Sequence, residues 1–401
     1  MAGWAPRASL AVILCVFVAL SHAVSDCPVQ YTSVANPRPG GLLFGGVLNV
    51  ATCRTSKGQP CPRSGYWADM CKMPTSSQAF GVCGDAQRDA GLRIAERLRG
   101  GEAFRLSPCD LWTYLRGRTL WLIGDSHGKQ LYKSLQCFLF DFWDGKDCRP
   151  TASSDLVKAL DDLPWMPGES KCFTIMGGGR ICKIGAVLGT SLVNSTQVAN
   201  GGVLNTLRDK GIATPNDIFV IQFGTWHMLE GPPGLDKFKN AVAQLGADFQ
   251  RTKAKWPHVI WRETPMTHDK DKDRGTCRAA PSGWGLDYGE GKLFVQPNTR
   301  SDAVALLARG GLLNAPARDI LGRYGLPVLG GFAYSVPLHV AHPALRGTSE
   351  LDCLHYCSFG LPELILYELA RELRGGIAGV KPLPYVPPEQ RAACPPAPSW
   401  L

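Results

Sequence analysis

After residue 23 the sequence has no apolar run long enough to cross a bilayer, for which a helix needs about 20 residues. It has no block of lysine and arginine and no aromatic-basic module, so nucleic acid is not expected as a partner. It has no C-x-x-C pair and no adjacent histidine pair, so no metal site is expected. No segment repeats at a fixed period, which removes solenoids and propellers.

What is there describes a globular, secreted-type chain. Of 401 residues, 45% are hydrophobic and 19% charged, a balance that can bury a core. The 45 glycines and 30 prolines point to many loops. The net charge of +9 suits a basic solvated surface, or one that attracts an acidic glycan. Near the start, Arg7 precedes an apolar run over residues 10–20, followed by Ser21-His22-Ala23. That order predicts a cleaved signal peptide over 1–23, with a short uncleaved anchor as the alternative, and only the anchor would give contact with a membrane. Cys15 lies in that segment, and the other fourteen of the 15 cysteines suffice for up to seven disulfides in an oxidising lumen. Asn194-Ser195-Thr196 is a glycosylation sequon. The expected location is the secretory pathway, either the Golgi lumen or outside the cell.

Residues 24–104 read as a Cys-, Gly- and Pro-rich region ending in a helix over 86–99, which Gly100-Gly101 terminates. Residues 105–375 carry an α/β pattern. The run 120–123 is continuously apolar, as a strand buried on both faces requires. Leu131, Leu135 and Leu139 then recur at helical spacing. Further strands are expected at 218–221, 259–261 and 326–329, with a crossover helix over 237–251 and a last helix over 361–373. Strands alternating with helices predict a parallel sheet covered on both sides. Residues 376–401 read as a Pro-rich surface tail.

The chemistry concentrates at strand ends. Gly124-Asp125-Ser126 lies between a strand and a helix. Ser126 would be exposed there beside free helix N–H groups that can hold an oxyanion, and Gly124 permits close backbone approach. A serine after Asp125 is also an ordinary start to a helix. Asp352-Cys353-Leu354-His355-Tyr356-Cys357 precedes the last helix. On that segment His355 can take the Ser126 proton while Asp352 orients the ring, and the flanking cysteines can brace the loop. The plainer alternative is a surface histidine in a disulfide loop. The segment with Gln222, Gly224 and His227 follows one strand, and that with Arg262 and His268 follows another. In a parallel sheet both share the carboxyl edge with Ser126. Gln222 and Gly224 are candidate oxyanion donors. His227 and His268 are alternative bases, substrate contacts or structural histidines.

From Ser107 to Ser126 the sequence resembles the start of the catalytic domain in trichome-birefringence-like proteins, a PC-esterase group of GDSL/SGNH hydrolase-like enzymes. That family pairs a GDS motif with a terminal D-x-x-H, matched by Asp352 to His355, and Arg262-Glu263-Thr264 with His268 is similar to its R-x-x-S-P-x-H segment. Motif order agrees over about residues 105–373. Lys129 stands where the family usually has arginine, and Gln222 where it often has asparagine. The resemblance implies an SGNH-hydrolase-like three-layer α/β/α sandwich and a Ser126, His355 and Asp352 triad. It implies O-acetyl transfer to polysaccharide hydroxyls, or de-acetylation by an esterase, with Arg262, His268, Asp125 and Lys129 as substrate-side candidates. An acetyl donor would be a co-substrate, and no tightly bound cofactor is implied. A non-catalytic glycan-binding role is the third expectation.

Overall fold

In the computed structural model, the described residues are 108–139, 171–196, 201–279, 302–345, 347–357 and 360–384, the hairpin 286–289 with 292–295, and isolated positions including 81, 83, 84, 87, 93, 142 and 198. The signal segment, nearly all of the Cys-rich region and the Pro-rich tail lie outside them. Of the helix expected over 86–99, Gln87 and Arg93 are described, and both are helical.

The described residues form a six-stranded sheet of β1 Thr119–Gly124, β2 Lys171–Ile175, β3 Gly179–Gly185, β4 Ile218–Gln222, β5 Val259–Arg262 and β6 Val328–Leu329. Its strands run in the order β6-β5-β4-β1-β3-β2. Five strands are parallel. The expectation of a parallel sheet is corrected at one edge, where β2 pairs antiparallel with β3. Only Met176, Gly177 and Gly178 connect these two strands, and a link that short closes a hairpin but cannot make a crossover. The strand expected over 326–329 is confined to Val328–Leu329.

Alternation along β1 assigns each side chain to a face. Leu120 and Leu122 enter one buried cluster, together with Leu111 and Trp112 of α1 (Pro108–Leu115) and Leu131, Leu135 and Phe138 of α2 (Ser126–Phe138). Leu364, Ile365 and Leu369 of the last described α-helix (Leu361–Arg374) complete that side. Trp121 and Ile123 enter the opposite cluster with Phe238, Val242 and Leu245 of the helix Pro232–Thr252 and Leu321 of Gly311–Tyr324. Helices thus cover both faces of the sheet, which is compatible with a three-layer α/β/α architecture. Truncating a buried aromatic such as Phe138 to alanine would cost about 3–5 kcal/mol.

Polar groups fix the strand ends. Buried Asp217 accepts from the Thr119 N–H at 2.8 Å and from Trp121 Nε1 at 3.0 Å, tying the start of β1 to the turn before β4. The register Gly124↔Gln222 and Ile221↔Trp261 then brings the carboxyl ends of β1, β4 and β5 side by side. Neighbouring strands lie about 4.8 Å apart, so residues that follow them come within reach of one another.

Candidate active site

Ser126 is the first residue of α2, directly after β1. Asp125 caps that helix by accepting from the His127 N–H at 3.0 Å. The turn is tight: a Cβ on Gly124 would stand 1.7 Å from the Gln222 carbonyl oxygen, so only glycine fits. As the first helical residue, Ser126 has an N–H without an intrahelical acceptor. Its side chain sits at the surface of the carboxyl edge, half-buried.

His355 reaches Ser126 from a loop on the other side of the chain. Its Nε2 lies 2.7 Å from Ser126 Oγ, and its Nδ1 lies 2.6 Å from Asp352 Oδ2. Asp352 Oδ1 accepts from the N–H groups of Leu354 at 3.0 Å and His355 at 3.3 Å. Burial pushes the Asp352 carboxyl up, but hydrogen bonds and charge from His355 with the two backbone donors outweigh it, leaving it below its ordinary value. An ionised carboxylate on Nδ1 keeps that proton on Nδ1 and leaves Nε2 bare toward the serine.

Two disulfides anchor this loop. Cys277 pairs with Cys353 across 76 positions and Cys83 pairs with Cys357 across 274. A third, Cys172–Cys182, joins β2 to β3. Gln130 of α2 donates to the Tyr356 carbonyl, and Tyr356 Oη donates to the Met266 carbonyl at 2.5 Å. The His268 N–H donates to the Cys353 carbonyl at 3.0 Å. The histidine loop is therefore tied both to the helix that carries the serine and to the segment after β5.

Beneath the site lies a buried polar chain. Gln222 Nε2 donates to Asp125 Oδ2 at 2.9 Å, and Arg262 Nη2 donates to Gln222 Oε1 at 2.7 Å. Burial raises the Asp125 carboxyl above its usual value despite these donors, and burial lowers Arg262 to about 10. The amide thus links a buried carboxyl to a buried guanidinium and holds the serine turn against β4 and β5. Gln222 and Arg262 both act on Asp125 in this way.

The remaining expected residues fall as follows. Gly224 (φ 143°) lies two positions after the end of β4 and caps a short helix Thr225–Met228. His227 is buried, and its Nε2 donates to the Leu188 carbonyl at 2.7 Å. Lys129 is half-buried one turn into α2. Asn194 is exposed in a left-handed turn, so its sequon is accessible. His268 is buried, with Nε2 donating to the Val336 carbonyl at 2.9 Å and Nδ1 facing His342 Nε2 at 2.8 Å.

His342 and His127 were not singled out from the sequence. His342 Nδ1 lies beside the carbonyl of His355, and its Nε2 faces His268, so the ring packs between the two segments. Burial lowers His342 to about 3 and His268 to about 4, keeping both rings uncharged near neutrality. His127 follows the serine, lies 5.6 Å from the His355 ring and is held far below its ordinary value, first by burial and then by His355. No local spacing marks His342, while the position of His127 next to Ser126 was the only available signal for it.

No model of a protein family matches this sequence, and no curated protein matches it. The family likeness therefore rests on the ordered motifs themselves. Among the described residues there is no cluster able to hold a metal ion and no helix long and apolar enough to cross a membrane.

Proposed function

We propose that the chain is a serine-dependent O-acyltransferase that places acetyl groups on polysaccharide hydroxyls, working in the secretory pathway. The observation that carries the chemistry is the hydrogen-bonded line from Ser126 Oγ to His355 Nε2, at 2.7 Å, and from His355 Nδ1 to Asp352, at 2.6 Å. The glycan acceptor, the acetyl group and the Golgi or extracellular setting come from the motif resemblance.

Ser126 Oγ passes its proton to His355 Nε2 as it attacks the carbonyl carbon of an acyl donor. Negative charge collects on the carbonyl oxygen, where the N–H groups of Ser126 and Gly224 are assigned as donors. Collapse expels the leaving group, which takes the proton back from His355, and leaves an acyl-serine. A sugar hydroxyl then gives its proton to His355 and attacks the ester. The proton returns to Ser126 as the O-acyl sugar departs. Asp352 stays ionised throughout and stabilises the imidazolium.

Hydrolysis is the second reading, because Ser126 itself is half-buried at the carboxyl edge and water could take the place of the sugar hydroxyl in the second step. An activated acetyl ester, offered with and without an oligosaccharide acceptor, separates the readings. Acetylated oligosaccharide supports transfer, and free acetate in both conditions supports an esterase. Glycan binding that survives Ser126→Ala, with neither product formed, would replace both by a binding role.

A further inference from the structure

Lysines gather on the flank of the helix that begins at Ser126. Positions 126, 129 and 133 fall on one face of α2, so Lys129 and Lys133 follow the serine along it. Lys171 and Lys183 stand opposite each other in the β2–β3 hairpin. Both belong to the side of the sheet that α2 covers. Lys183 is the register neighbour of Leu122, and Lys171 alternates with Phe173 and Ile175. Those three apolar residues share a cluster with Leu131 and Leu135 of α2. The rings of Tyr132 and Phe173, 5.4 Å apart, bring α2 against β2.

Holding these cations together is unfavourable. Burial, then Lys171, Lys129 and Lys183, push the Lys133 ammonium below its ordinary value. Lys183 is 3% exposed on a strand face where its neighbour Ile181 is fully buried. Lys171 is exposed, and Lys129 and Lys133 are half-buried, so an anion in solution can reach the group. An anion placed there would relieve the repulsion, which is the usual purpose of such a cluster beside a reactive residue.

The row also has a direction. Gly185 at the end of β3 is level with Gly124, so Lys183 and its partner Lys171 lie just behind the edge that carries Ser126. Along α2, Lys129 and Lys133 stand about 4.5 and 10 Å from the serine at 1.5 Å per residue. Charge spread over two helical turns and a strand edge matches carboxylates repeated along a chain better than one phosphate group.

We infer that the acetyl acceptor is an acidic polysaccharide, its uronic carboxylates resting on Lys129, Lys133 and Lys171 while one of its hydroxyls faces Ser126. This rests on the acyl-serine reading and names the class of acceptor for the same site. Each exposed ammonium–carboxylate contact is worth at most about fivefold, so two or three give on the order of ten- to a hundredfold in affinity. Salt weakens that gain.

The test compares tetragalacturonate with its carboxyl methyl ester. Binding of each to full-length Ser126→Ala is measured by calorimetry, and acetylation of each by the native chain is measured with p-nitrophenyl acetate as donor. The acid should bind at least about tenfold tighter at low salt, with a preference that shrinks as salt is added, and should be the better acceptor. Replacing Lys133 and Lys171 together by glutamine should lower the acid-to-ester ratio at least about fivefold, and replacing both by arginine should preserve it. Circular dichroism and thermal melting show that both variants fold. Equal binding of acid and ester, a ratio that the glutamine variant leaves unchanged, or preferential acetylation of the ester would each overturn the inference. Inhibition of p-nitrophenyl acetate turnover by pyrophosphate, relieved in the glutamine variant and without any acid preference, would overturn it in favour of a phosphorylated donor. No release of p-nitrophenol by the native chain would overturn the acyl-serine reading, while acid-selective binding would still place the polyanion on the lysines.

Discussion

Replacing Asp352 with asparagine separates orientation from shape. In the native loop, one carboxylate oxygen accepts two backbone N–H groups, at 3.0 and 3.3 Å, and the other meets His355 Nδ1 at 2.6 Å. Asparagine can keep only one of these ends unchanged. Turning its NH2 toward the two backbone donors would leave them unpaired, at about 1–3 kcal/mol each. The amide oxygen therefore stays on the backbone and the NH2 faces the ring. His355 Nδ1 must then accept, its proton moves to Nε2, and that N–H donates to Ser126 instead of receiving from it. The ring keeps its place and loses its function as a base. The expected loss in kcat is about 10⁴-fold, near 5.5 kcal/mol of transition-state stabilisation. It is measured as release of p-nitrophenol from the activated ester, with circular dichroism and thermal melting to show that the variant folds. A folded Asp352→Asn variant within tenfold of the native rate would refute the assigned tautomer.

Gly124→Ala forces a methyl into the Gln222 carbonyl, 1.7 Å from its oxygen, and should cost on the order of 3–5 kcal/mol in denaturant unfolding; a loss under 1 kcal/mol would contradict the tight turn. Cys277→Ser opens a 76-position loop whose closure is worth up to about 4 kcal/mol, so the melting temperature should drop and ester turnover should fall with it; unchanged turnover would show that the bridge does not hold the histidine loop. Acid should weaken the fold above the range of carboxylate titration. His342 and His268 are lowered to about 3 and about 4, while unfolded histidine titrates near 6.5. Between pH 6.5 and about 4 the unfolded chain binds protons that the folded chain refuses, so stability falls as pH falls, by about 1.4 kcal/mol per unit for each ring. Asp352 acts below that window, because its lowered carboxyl loses its contribution only as it becomes protonated. His268→Gln should reduce the slope of unfolding free energy against pH in this window, and an unaltered slope would contradict the assignment.

The central strands were legible because burial on both faces forces continuous apolar runs, such as Leu120 to Ile123 and Ile218 to Ile221. The edge hairpin was not, since Lys171, Arg180 and Lys183 interrupt its apolar residues, and only the glycines at 177–178 marked its turn. The helix Gly311–Tyr324 was obscured by Pro316 and Gly322, which break the pattern although the helix accommodates both. At the site, Ser126, Asp352 and His355 were legible because strand-end placement and local spacing are one-dimensional signals. The Asp125–Gln222–Arg262 chain and the His268–His342 contact depend on pairings across 40 to 97 positions, which no local pattern encodes. Gln222 was expected to donate toward an oxyanion, whereas its amide is engaged with Asp125.

Brief exposure of the full chain to an activated acyl ester, followed by digestion and mass spectrometry of the peptides, tests the nucleophile directly. A single acyl mass on the peptide that contains Ser126, lost in Ser126→Ala and retained longer when His355 is replaced by glutamine, is the predicted result. Acyl label confined to other residues, or present equally in Ser126→Ala, would contradict it.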